Sequence, residues 1–291
     1  MKQFVASWLV LALTSHLSAA ENALYSELIS VGVRMSSGKA VELPPPTLAD
    51  GLSAAEQQTA IKQIAGASHP LEALTRRSVV APFVLKITNV DAATNQPYTT
   101  YRLDLWFVAY GNFERTSDEQ FLKQQFEAEV NTSADSSSPE LRPLSPADLA
   151  ARHISLTADQ RVFAGKLVLF DRVRLNLALL GQQTRSADSV LVAVAPDRRF
   201  DADAQYPNRW QKLLRDEATK LQVGPQQPYQ GAGGYVKATR LAEPAGAVFI
   251  EYHMVFEEPR AWFDGANLLR SKLPLVCQDG VRKFRRRVAG Q

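Results

Sequence analysis

From Val79 the chain alternates apolar and polar residues with a period of two. In PFVLKITNV, Phe83, Leu85 and Ile87 point one way while Val84, Lys86 and Thr88 point the other. After DAATNQP, the segment YTTYRLDLWFVAYG returns with Tyr101, Leu103, Leu105 and Phe107 on one face. Successive side chains of a strand lie on opposite faces, so the pattern predicts an antiparallel hairpin with one apolar and one mixed face. A helical period follows in SDEQFLKQQFEAEV, where Phe121, Leu122, Gln125 and Phe126 form the stripe.

The same order recurs twice. RVFAGKLVLFDRVRLNLALLG and SVLVAVAPD read as strands ahead of a helix over NRWQKLLRDEATKL. GYVKATRLAEPAGAVFIEYHMVFEE reads as a hairpin ahead of a helix over RAWFDGANLLRSKL. Three strand–strand–helix passages therefore run through residues 79–126, 161–222 and 234–273. The expected fold class is α+β, a mainly antiparallel sheet with helices packed on one face.

Upstream, LISVGVRMSSGKAVELPPP reads as two short extended segments around the turn SSGK, closed by three prolines. Ser53 with Glu56 three residues on is a capping box, which predicts a helix through SAAEQQTAIKQIAG with Gly66 as its stop. The Ser- and Pro-rich stretch 131–146 is the one internal boundary on offer within residues 21–280, otherwise read as a single domain.

The first twenty residues, MKQFVASWLVLALTSHLSAA, combine a positive start, a short apolar run and small residues at Ser18 and Ala20. That is the pattern of a secretory signal peptide, with Glu21 as the expected mature N-terminus and a periplasmic or extracellular destination. No later run approaches the ~20 apolar residues of a membrane helix. Cys277 is the one cysteine, so no intramolecular disulfide forms, and it is read as an inert buried thiol.

Charge is concentrated at one end. VRKFRRRVAGQ, residues 281–291, holds Arg282, Lys283, Arg285, Arg286 and Arg287 and no acid. Without Lys2 and these five, the body carries 27 basic residues against 30 acids, which argues against a nucleic-acid partner. The tail reads first as a frayed, solvated end, and otherwise as a weakly amphipathic segment that an anionic envelope surface would attract.

Candidate chemistry is sparse. In VFIEYHMVFEEP, Glu251 and His253 share one face with Glu257, opposite the apolar row Val248, Ile250, Tyr252, Met254 and Phe256. A half-solvated strand requires that alternation, so the expectation is a wet strand face on which His253 is dispensable. The competing reading is a metal-assisted hydrolase using Glu251, His253, Asp201 or Asp203, the last two from RRFDADAQYPNRW. Asp201 and Asp203 read first as a solvated loop before a helix. GPQQPYQGAGGY lacks phosphate-loop spacing and is read as a loop. Trp106 and Tyr110 line a binding patch if their strand face is open, and core if it is covered.

No cofactor is implied. The leading function is therefore an exported, non-catalytic protein that binds a small apolar molecule or an envelope component. Two alternatives remain, the hydrolase and an assembly subunit docked through the basic tail.

Overall fold

A computed structural model describes residues 22–90, 97–114, 140–215, 221–265 and 267–290. It is a mixed α/β structure with one large antiparallel sheet and few helices. The expected helix over SDEQFLKQQFEAEV and residues 1–20 both lie outside the described residues.

The strands follow from the alternating segments. β1 (Val33–Arg34) and β2 (Ala40–Val41) pair around SSGK. The large sheet takes β3 (Val84–Asn89), β4 (Tyr98–Tyr110), β5 (Glu140–Pro143), β6 (Gln160–Leu169) and β7 (Val173–Arg185). It continues with β8 (Ser189–Pro196), β9 (Arg209–Arg215), β10 (Leu221–Val223), β11 (Gln227–Pro228), β12 (Ala232–Arg240) and β13 (Ala247–Pro259). Its order is β10-β9-β7-β8-β12-β13-β4-β3, with β6 and then β5 on the other edge of β7 and β11 against β9. β13 and β4 pair from Ala247↔Tyr110 to Pro259↔Tyr98.

Two of the three expected passages end differently. NRWQKLLRDEATKL was expected to be helical, yet Arg209–Arg215 is strand β9. β8 pairs only with Leu179–Arg185 of the long β7, which leaves the edge at Val173–Asn176 for β9 to occupy. Backbone groups of that edge need partners, and this tertiary demand outweighs the segment's weak helical preference. In the last passage Pro259 leads only into a 3₁₀ turn, Arg260–Trp262, and left-handed backbone at Asp264 and Gly265 ends it. The helix proper spans Leu268–Val288.

That helix absorbs most of the supposed tail. Leu269, Leu273, Val276, Cys277, Gly280, Val281, Phe284 and Val288 form one buried stripe along it. The stripe packs on Leu103, Leu105, Phe107, Ile250, Tyr252 and Met254 of the sheet. Gly111 lets the helix end approach closely, since a Cβ there would sit 2.0 Å from the Val288 carbonyl oxygen.

Helices lie on both faces of the sheet, not on one. Helix Ala54–Ala65, with the capping box at Ser53 and Glu56, packs Ile61 and Ala65 with Trp106, Val108 and Phe249. Helix Ala23–Ser30 packs Leu24 and Leu28 with Leu191, Ala193, Tyr235 and Val255. Between the two helices residues 33–50 run across the same face. Gly233 belongs to β12, not to a loop, and an added Cβ would come within 2.9 Å of Val33.

Candidate functional site

Strand β13 carries the stretch that the sequence singles out, and every residue of it is buried. The expected wet face does not exist. Residues 33–50 cover it, and its polar groups tie that segment down. Thr47 N–H donates to Glu251 Oε2 at 2.6 Å and Ser36 N–H donates to Glu257 at 2.9 Å. Tyr235 donates its hydroxyl to the Pro44 carbonyl at 2.7 Å, and Lys237 Nζ donates to the Leu48 carbonyl at 2.7 Å. The three prolines cannot add a strand, so side chains of the sheet take over the role of ladder partners.

His253 sits in the middle of this strip. Its Nδ1 is 2.7 Å from Asp104 Oδ1, and its Nε2 is 3.5 Å from Glu251 Oε2, an ion-pair separation and not a hydrogen bond. Asp104 also accepts from Arg102 Nε at 3.1 Å. Tyr235 and Trp106 flank the imidazole with ring centroids at 5.0 and 5.3 Å. Burial pulls the His253 pKa down, but the hydrogen bond to Asp104 and the charges of Asp104 and Glu251 outweigh it and hold the pKa above the ordinary value. At 1% and 0% exposure, His253 and Glu251 present nothing to a substrate. The group is a clamp between sheet and N-terminal segment.

Asp201 and Asp203 belong elsewhere. Arg152 grips Asp203 through Nε at 2.7 Å and Nη2 at 3.2 Å, and this lowers the Asp203 pKa to about 2. Asp201 accepts from Asn208 Nδ2 at 2.8 Å and Gln230 Nε2 at 2.5 Å. None of these contacts involves Glu251 or His253. Among the described residues no three His, Cys, Asp or Glu side chains are grouped to hold a metal.

Trp106 is core: it is buried, and its Nε1 donates to Thr47 Oγ1 at 3.0 Å. Tyr110 is half-buried, donates to the Thr75 carbonyl and lies under Arg77. Neither forms an open patch. Of the five basic residues near the C-terminus, Arg285 is buried and cannot contact a surface, whereas Arg286 is exposed and Arg282, Lys283 and Arg287 are half-buried. Cys277 is buried, and desolvation raises its pKa to about 12.

The opposite face of β13 holds what the sequence reading passed over. Val248, Ile250, Tyr252, Met254 and Phe256 face the C-terminal helix, and the next residue on that face is Glu258. Glu258 is 7% exposed, its Oε2 has no hydrogen-bond partner among the described residues, and desolvation raises its pKa to about 7. Trp262, fully buried on the same side, has an Nε1 without a hydrogen-bond partner among the described residues. Tyr229 lies beside both. Its ring is 5.4 Å from that of Trp262, burial and then the charges of Glu257 and Glu258 raise its pKa, and its hydroxyl donates to the Glu257 carbonyl. The signal was present in FEEP, since alternation puts its two glutamates on opposite faces and one must follow Phe256 inward.

Comparison with known proteins gives no family. No family model matches the chain, and no curated protein matches it. Solved structures overlap weakly. The human StarD13 (DLC2) lipid transfer and protein localization domain has 6% identity and a TM-score of 0.38, covering 71% of this chain and 85% of that one. Human STARD10 has 9% identity and a TM-score of 0.34, covering 82% and 85%. An uncharacterized protein from Rhizobium leguminosarum has 12% identity and a TM-score of 0.30, covering 65% and 98%. Overlap at this level assigns no function.

Proposed function

We propose that this chain is a non-catalytic binding protein that takes a small apolar molecule with one polar end between the sheet and the C-terminal helix. One observation carries the reading. Five consecutive inward positions of β13 are apolar, the row ends on Glu258, whose buried Oε2 has no partner among the described residues, and the indole Nε1 of buried Trp262 has none there either. Such groups cost about 1–3 kcal/mol each when left unsatisfied, which favours a ligand that supplies their hydrogen bonds. A hydroxyl suits either group, because it can donate to a carboxylate and accept from an indole N–H. The apolar row of β13 packs on the stripe of the C-terminal helix, so a ligand enters by displacing part of that contact and takes up the apolar area it frees.

We further infer that residues 1–20 direct export, so the binding takes place in a periplasm-like space or outside the cell. That reading rests on the sequence pattern of those residues and is tested by the intact mass of exported protein, expected to begin at Glu21.

The binding test uses single-chain alcohols, amines and carboxylic acids of equal chain length, followed by calorimetry at pH 6 and pH 8. Alcohols bind at both values. Acids lose affinity at pH 8, where Glu258 is ionised and repels them. Trp262→Phe removes the indole donor while keeping the ring, and weakens alcohol binding about tenfold, the equivalent of one hydrogen bond of ~1.4 kcal/mol. If none of the three classes binds, the proposal fails.

A further inference from the structure

The C-terminal helix carries a buried guanidinium with no carboxylate against it among the described residues. Arg285 is 4% exposed. Its Nε donates to the Val108 carbonyl at 2.8 Å, and its Nη1 donates to Val79 and Ala81 at 3.2 and 2.5 Å. Its Nη2 donates to Pro82 at 3.0 Å. Carbonyls satisfy hydrogen bonds without neutralising charge, and a buried charge ordinarily has a counter-charge. Desolvation lowers the Arg285 pKa to about 10, so the group is still a cation at neutral pH.

A cleft of about 190 Å³ opens against this cation. Its polar lining is His69, Gln278, Arg282 and Arg285, its walls include Val80 and Phe83, and no acid among the described residues lines it. Arg282 lies three residues before Arg285, on the same side of the helix. Val80, exposed at 62%, opens the cleft to solvent. The volume is well above the ~30 Å³ share of one water and below the ~300 Å³ of a drug-sized pocket. That size and charge fit a small oxyanion.

We propose that this cleft binds a phosphate-class oxyanion, held directly by Arg282 and stabilised by the buried charge of Arg285. His69 and Gln278 supply further polar contacts. The site is separate from the Glu258 surface, since none of its lining residues belongs to that face of β13.

The test titrates the full chain with inorganic phosphate by calorimetry and, separately, measures its co-sedimentation with phosphatidylglycerol and phosphatidylcholine vesicles. Arg285 is left in place, because its removal would strand four carbonyls. Arg282→Gln removes the direct partner, Val80→Trp fills the mouth while keeping every charge, and Arg286→Gln removes a cation outside the lining. Saturable phosphate binding is expected in the unmodified chain and in Arg286→Gln, weakened tenfold or more (~1.4 kcal/mol) by each of the other two. Binding to phosphatidylglycerol alone, with the same dependence on the variants, supports the site and identifies a lipid headgroup as the source of the anion. Binding in neither arm overturns the proposal, as does binding that survives Arg282→Gln or Val80→Trp.

Discussion

Nδ1 of His253 on β13 lies 2.7 Å from Oδ1 of Asp104 on β4, and the two residues are direct cross-strand partners. The register therefore delivers an acid to a base within the sheet, and Tyr235 of β12 completes the row. Residues 33–50 close over this row, which turns a polar strand face into a polar interior. A half-satisfied network in that position would be costly, which is why nearly every group in it has a partner.

Removing one member of the pair is accordingly destabilising. His253→Ala or Asp104→Asn is expected to cost about 3–5 kcal/mol, read as a loss in chemical denaturation. His253 lies in the interior and not on the wet face that the alternation suggested, so its substitution registers in stability. Wild-type stability at either variant's midpoint would contradict the clamp.

The same pair sets a pH dependence. The folded pKa of His253 is raised, so its contribution is fully present below the ordinary value and is lost as pH rises through the folded one. Stability measured from pH 6 upward should fall, and His253→Ala should flatten that slope. An unchanged slope in the variant would assign the dependence to other groups.

Glu258 titrates in the same direction for a different reason. Its folded pKa is raised to about 7 by desolvation, so the neutral form favours folding below the ordinary carboxylate range and that advantage is lost as pH rises through about 7. Glu258→Gln is neutral at every pH and should match wild type at pH 5, then exceed it by about 1–3 kcal/mol at pH 8.5. Equal stability at pH 8.5 would mean the carboxylate is better solvated than its surroundings indicate.

Gly111 and the helix end provide a packing test. With a Cβ only 2.0 Å from the Val288 carbonyl oxygen, Gly111→Ala must push back the last turn of the helix. A loss of about 1–3 kcal/mol, with faster amide exchange near Val288, is expected. A neutral effect would show that the helix end is not held where Arg285 and Val288 place it.

Much of the sheet was legible because period-two alternation survives in β3, β4, β12 and β13 whatever lies above them. The cover was not legible. Prolines at 44–46 mark a segment that cannot join the sheet, but nothing local says that Glu251 and Glu257 will accept its N–H groups. The final helix runs past the expected end at Leu273, because Leu269, Leu273, Val276, Val281, Phe284 and Val288 keep helical spacing across Pro274 and Gly280. Trp210, Leu213 and Leu214 have helical spacing too, yet β9 forms because one edge of β7 at Val173–Asn176 would otherwise be unpaired. Local period gave way to tertiary demand there. The candidate site was half visible: the alternation places Glu258 inward, whereas its lack of a partner is a property of the assembled fold.

The most direct measurement is a ¹³C NMR titration of the Glu258 carboxyl, with and without a single-chain alcohol of the length that binds. The free protein should titrate with a midpoint near 7, and bound alcohol should shift that midpoint as its hydroxyl meets the carboxyl. A midpoint in the ordinary carboxylate range, or one that bound alcohol leaves unmoved, would contradict a ligand site between the sheet and the C-terminal helix.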